Sequence, residues 1–133
     1  MADSTVELMI AVVAALKASA GVGAVAGDRI YDRVPENVTY PCIALGLRNG
    51  TPWESQLVSG WRLILTINVW SRAYGSGEAE NIAAAVYAAL HDVPLTLSTQ
   101  TFGFGQLVGQ NTTSDPDGIT RLIRQNWEFI TTD

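Results

Sequence analysis

The sequence predicts an α+β fold: an antiparallel sheet of four to five strands with two helices packed on one face, in the order α-β-β-α-β-β-β. Three stretches predict it. Trp61 to Ser71 alternates, with Trp61, Leu63, Leu65, Ile67 and Val69 on one face and Arg62, Ile64, Thr66, Asn68 and Trp70 on the other. Beyond a glycine turn, Ile82, Val86 and Leu90 recur at i, i+4 and i+8 among alanines, the spacing of one helix face. Ile119 to Thr131 then alternates again, ending in Trp127 and Phe129. A long strand beside so smooth a helix needs a sheet with the helix laid across it.

The elements follow in order. Ser4-Thr5-Val6-Glu7 reads as a capping box. Leu8, Val12 and Leu16, with Ile10 and Val13, then give helical spacing, and Gly21 and Gly23 are expected to end the helix, with one short turn to follow. Gly27 to Tyr31 reads as a loop with a short extended piece, and Pro35 and Pro41 bracket a non-helical connection. Cys42 to Leu47 is a short apolar strand. Arg48 to Ser59, with Asn49-Gly50 and Pro52, is expected to be a long loop. After the Trp61 strand, Ser76 or Gly77 caps the second helix, with Glu78 and Glu80 where the helix dipole favours negative charge, and Pro94 stops it. Leu95 to Ser98 and Phe102 to Gln110 read as strands. Gly103, Gly105 and Gly109 in the second point to a bulge or a close backbone approach. Asp115-Pro116-Asp117-Gly118 fits a type I turn into the last strand.

Length and composition suit one domain over residues 1–133, with 47% hydrophobic and 16% charged residues and four tryptophans for a core. The net charge of -5 argues against nonspecific nucleic-acid binding, which needs clustered cations. Lys17 is the only lysine and the other cations are arginines, which favour planar pairing with carboxylates at protein interfaces. A single cysteine, Cys42, allows no intrachain disulfide and no cysteine-based metal site. The apolar run Leu8 to Leu16 is shorter than a membrane span, and it is preceded by Asp3 and Glu7 rather than by a basic segment, so it reads as a helix of a soluble protein.

No constellation for catalysis, cofactor or metal emerges. His91 is the only histidine, with Asp92 its sole evident neighbour, and reads as a cation at a helix C-terminus. Cys42, before Ile43-Ala44-Leu45, reads as a buried thiol rather than a nucleophile. The Asp115 to Gly118 turn lacks the further oxygen ligands of a calcium loop. Gly21-Val22-Gly23 and Gly103-Phe104-Gly105 lack the context of a phosphate loop. Trp53, Trp61 and Trp70 crowd one loop-strand unit, which makes one of them a candidate interface anchor.

Several segments together resemble the bacteriophage and prophage tail-completion family, the tail terminators, which also occur in gene transfer agents. They are Gly27 to Tyr31; Tyr40-Pro41-Cys42-Ile43; Leu65 to Arg72; Glu78-Ala79 with Ile82-Ala83; Ala88 to Asp92 with Pro94-Leu95; and Asp115 to Arg121. The resemblance spans nearly the whole chain and matches less well at Phe102 to Gly109. It implies a structural, non-enzymatic subunit without cofactor that forms a homo-oligomeric ring, usually a hexamer, on the head-proximal end of a tail tube. Such a ring caps the major tail tube protein, stops tube growth and meets the head–tail connector proteins. DNA is expected to pass its lumen without specific binding, no membrane is involved, and the chain is made in the host cytoplasm. A ring requires a heterologous interface that closes by rotation. Its candidate contacts here are Asp28, Arg29 and Arg33; Arg48, Trp53 and Glu54 in the expected loop; Arg62; Arg72 and Tyr74 in the turn after the long strand; and Arg121 and Arg124. A neck protein of the same particle, or a small-ligand or enzymatic module, are the competing readings.

Overall fold

In the computed structural model, which describes residues 5–27, 29–32, 35–54, 59–73, 77–97, 101–114 and 119–132, the elements are α1 (Thr5–Ala18), α2 (Ala20–Ala26), β1 (Ile30–Tyr31), β2 (Cys42–Glu54), β3 (Ser59–Ser71), α3 (Gly77–Leu90), β4 (Thr101–Ser114) and β5 (Arg121–Thr132). The α+β class is as the sequence predicts. The five strands lie in the order β1-β2-β3-β5-β4. All pairings are antiparallel except β1 with β2, which is parallel through Ile30 opposite Ile43 and Tyr31 opposite Ala44.

The first helix breaks at Ser19, earlier than the expected stop at Gly21 and Gly23. Ser19 is extended (φ -75, ψ 122) and its hydroxyl accepts from the Val22 N–H at 3.3 Å, so it caps a second helix. Both glycines therefore lie inside α2. Gly21 suits a close approach: a Cβ there would sit 3.3 Å from that of Ala85 on α3. The helix closes on Gly27, whose φ of 59 lets its N–H reach the Gly23 carbonyl at 3.1 Å. The described residues thus hold three helices rather than two. Ser4 and Ser76 of the expected caps, and the Asp115 to Gly118 turn, lie outside them.

The largest departure is in β2. The expected loop from Arg48 is strand as far as Glu54, paired with β3 down to Glu54 opposite Ser59. A register shift between Leu45 and Arg48 lets the strand continue beyond its apolar start. Asn49 and Gly50 face Ile64 and Leu63 instead of turning the chain. Pro52 is tolerated because β1 covers only Ile43 and Ala44, leaving β2 an edge strand at this point. In the other direction, Leu95 to Leu97 is not a strand; Leu95 and Leu97 instead pack their side chains against the core, and Ser98 lies outside the described residues. β4 is longer than expected and carries register shifts at Phe102/Phe104 and Leu107/Gly109, where glycines interrupt its pattern.

The core lies between one face of the sheet and the helices. Leu63, Leu65, Ile67 and Val69 of β3 and Ile123, Trp127 and Phe129 of β5 are buried there against Leu8, Val12 and Leu16 of α1 and Ile82, Val86 and Leu90 of α3. One buried polar side chain fixes α3 to the sheet. The Gln125 amide donates to the Ala83 carbonyl (3.0 Å) and to Gln110 Oε1 (2.8 Å), while its oxygen accepts from the Trp127 indole N–H (3.1 Å). The opposite face of β3 is half-covered at Ile64, Asn68 and Trp70, as the mixed sequence pattern predicts.

Candidate interaction surfaces

The two groups that the sequence offered for catalysis stand at opposite sides of the sheet. Cys42 begins β2, whereas His91 follows α3 and touches β4 at the far edge. Cys42 is fully buried. Burial pushes its thiol above the ordinary value, and the Arg29 guanidinium opposes this only in part. A thiol so placed holds little thiolate at neutral pH. Alkylation of the folded protein with iodoacetamide is therefore expected to be at least about tenfold slower than that of the urea-unfolded chain. Equal rates would show that Cys42 is open to solvent.

His91 does more than complement a helix dipole. Its Nδ1 accepts from the Leu107 N–H at 3.2 Å, which assigns the neutral ring's proton to Nε2, 3.3 Å from Asp92. The ring stacks on Tyr87 with centroids 4.5 Å apart. Beside it, the Asp92 N–H donates to the Gly105 carbonyl at 2.9 Å, and Asp92 itself takes φ 55 to turn the chain. The end of α3 thereby seals the outer edge of β4 around Gly105 to Leu107, where an open strand edge invites unwanted pairing. Among the described residues no group of His, Cys, Asp and Glu is arranged to hold a metal ion.

The candidate contact residues do not form one cluster. Arg29 is held inside the chain, its Nε donating to the Pro41 carbonyl (2.8 Å) and its Nη2 to the Val25 carbonyl (3.2 Å), so it fastens α2 and β1 to the start of β2. Arg48 pairs with Asp32 at the β2 edge. On the sheet face away from the helices, Arg62 pairs with Glu128 (3.0 Å), Thr66 bonds Asn126 (3.3 Å) and Arg124 donates to Asn68 (3.4 Å). These contacts make a polar ladder across β3 and β5. Arg72 lies over the Tyr40 ring at 4.2 Å and donates to Thr120 at 3.0 Å, while Arg121 donates to Ser114 at 3.0 Å. Glu54 ends β2. Trp53 lies within β2, opposite Gly60. Asp28, Arg33 and Tyr74 fall outside the described residues.

Two further surfaces lie along outer helix stripes. On α1, Val6 and Ile10 are 70% and 65% exposed, and with Val13 and Lys17 they run along one outer line of the helix. Beside this line, between α1 and β2, Met9, Ile10, Val13, Ala14 and Leu45 border an apolar groove of about 400 Å³ with Lys17 and Asp32 at its rim. On α3, Glu80, Ala84, Tyr87 and His91 share the same spacing, and Tyr87 is 42% exposed. The signal was legible: Ile10 and Val13 fall beside the Leu8, Val12, Leu16 line that leads the core side, where Met9 is also buried.

Among the described residues the chain is thus an α+β fold whose arginines and exposed helix stripes are spread over its faces, without a converging set of reactive groups. Over residues 10–132 the chain matches the model of the family described as tail completion protein gp17, and it belongs to that family. It is 30% identical over 82 residues to the tail completion protein gp17 of Bacillus phage SPP1; that match covers 62% of this chain and 60% of the relative, short of two thirds of its length. Its fold is similar to a chain in the virion of a native gene transfer agent particle, with TM-score 0.90, 23% identity and 100% of both chains covered. It is also similar to the structure of bacteriophage SPP1 gp17, with TM-score 0.65 and 22% identity over 95% of this chain and 89% of the other.

Proposed function

We propose that the chain is a structural assembly protein that closes into a ring, a hexamer, on the head-proximal end of a phage-like tail tube. The ring caps the last layer of the major tail tube protein, ends tube growth and offers the surface that head–tail connector proteins meet. The family match over residues 10–132 carries this reading. The architecture supports it, because the two sides of the sheet are unlike: β1 and α1 flank one, β4 and the end of α3 the other. Unlike sides are what a head-to-tail contact joins, and such contacts close into rings when their rotation permits.

The net charge of -5 suits a lumen through which DNA passes without binding. The protein acts through contacts rather than catalysis, is made in the host cytoplasm and ends in the particle. The test is removal of the chain from the assembling particle. Tails of unregulated length, or tails unjoined to heads, are the expected outcome.

A further inference from the structure

We propose that the contact between neighbouring copies is helix on helix, with the outer stripe of α1 on one copy laid antiparallel against the outer stripe of α3 on the next. This inference rests on the ring reading and names the surface that makes the ring.

Both stripes have the spacing i, i+4, i+7, i+11, which places their four side chains in a row along one helix face. On α1 the row is Val6, Ile10, Val13 and Lys17; on α3 it is Glu80, Ala84, Tyr87 and His91. Each row lies mostly outside the core: Val6 and Ile10 are exposed and only Val13 packs partly against it, while Tyr87 and His91 meet Trp127 from the side and Tyr87 stays 42% exposed. The α1 core line is Leu8, Val12 and Leu16, and the α3 core line is Ile82, Val86 and Leu90. The α1 row borders the groove on the β2 side, as Ile10, Val13, Lys17 and Leu45 show. The α3 row looks toward β4, since Glu80 accepts from Thr112 and His91 from Leu107. With the sheet order β1-β2-β3-β5-β4, the rows therefore lie at opposite sides of the molecule. One chain cannot bring them together, but two copies related by rotation can.

Charge and shape choose the direction. The α1 row ends in Lys17 and the α3 row begins with Glu80. Antiparallel packing sets this cation beside this carboxylate. It also sets Val13 against the small Ala84, Ile10 against the face of Tyr87, and Val6 beside His91. A parallel arrangement would place Lys17 at His91 and lose the charge pair. An aromatic ring seated against an aliphatic groove, with an ion pair at the rim, is the usual anatomy of an interface anchor. Leu107 and Thr112 hold the far side of the α3 row, so Tyr87 is presented from a rigid support.

The test is disulfide capture in assembled particles. A chain carrying both Ile10→Cys and Tyr87→Cys should, after mild oxidation, give covalent oligomers in a ladder that stops at the ring size. Chains with either single change should remain monomeric, because like positions do not meet in a head-to-tail contact. Cys42 is buried and stays out of the reaction. A closed ring seen by electron microscopy with no such ladder overturns this contact and leaves the ring reading standing. Dimers from a single-cysteine chain overturn the head-to-tail arrangement. Particles in which no ring forms around the unmodified chain overturn both.

Discussion

Replacing Trp127 by alanine is expected to lower the stability of the folded chain by about 3–5 kcal/mol, the range for truncating a large buried aromatic side chain. Trp127 is fully buried on β5. Its ring lies nearly parallel to Phe129 at a centroid distance of 6.0 Å and tilts against Tyr87 and His91 at 6.4 Å each. It therefore joins the α3 helix, the α3 exit and the central sheet in one contact set. Its indole N–H also satisfies the buried Gln125 oxygen at 3.1 Å, so truncation removes a partner from a group shut away from water. The effect would be read from urea unfolding followed by far-UV circular dichroism. A loss below about 1 kcal/mol would mean that the site is far less tightly packed than the structure shows.

The second large effect is expected at Gly60, from adding a single carbon. Gly60 is buried in β3 between Trp53 of β2 and Thr132 of β5. A Cβ at this position would collide with the Thr131 carbonyl oxygen, and would stand 2.9 Å from the Thr131 carbonyl carbon and 3.1 Å from the Thr132 Cα. All three obstacles are backbone, so no side chain can swing aside. The ladder between β3 and β5 must part at its end. Gly60→Ala is expected to cost about 3 kcal/mol, the upper part of the usual range for overpacking. It should also remove hydrogen-exchange protection at Trp61 and Thr132. Gly109→Ala is the internal control. A Cβ there meets nothing within 4 Å, and a change within about 0.5 kcal/mol is expected. Equal effects at the two positions would contradict the assigned register of β3 on β5.

Much of this was legible in the sequence, for reasons that differ by element. β3 and α3 were readable because each obeys one period with few exceptions, and the buried residues Leu63, Leu65, Ile67, Ile82, Val86 and Leu90 are those the periods select. The far half of β2 was not readable. Its residues Arg48 to Glu54 carry turn-formers and charge because they lie on a sheet edge, where burial sets no pattern, and the pairing with β3 comes from the partner strand rather than from local preference. The short extended piece expected within Gly27 to Tyr31 is β1, but its parallel pairing with β2 was not legible, since two residues are too few to show a period. The helix break at Ser19 was masked by the glycines after it, which look like a stop but lie inside α2.

The surfaces were less legible than the fold. Arginines on solvent-facing segments suggested contacts between subunits. In the folded chain each described arginine has an intramolecular partner, as Arg29 has in Pro41 and Val25 and Arg72 has in Tyr40 and Thr120. A local reading of sequence cannot see partners that arrive from distant strands. The outer rows on α1 and α3 are the opposite case. They are visible as a second helical stripe, but only burial of the first stripe shows that the second is left over.

If this chain ends a tail by capping it, electron microscopy of particles assembled without it, scoring tail length and head attachment on the same grids, should show overlong tails or tails detached from heads. Joined tails of normal length should return when the chain is supplied again. Joined tails of normal length in its complete absence would contradict capping.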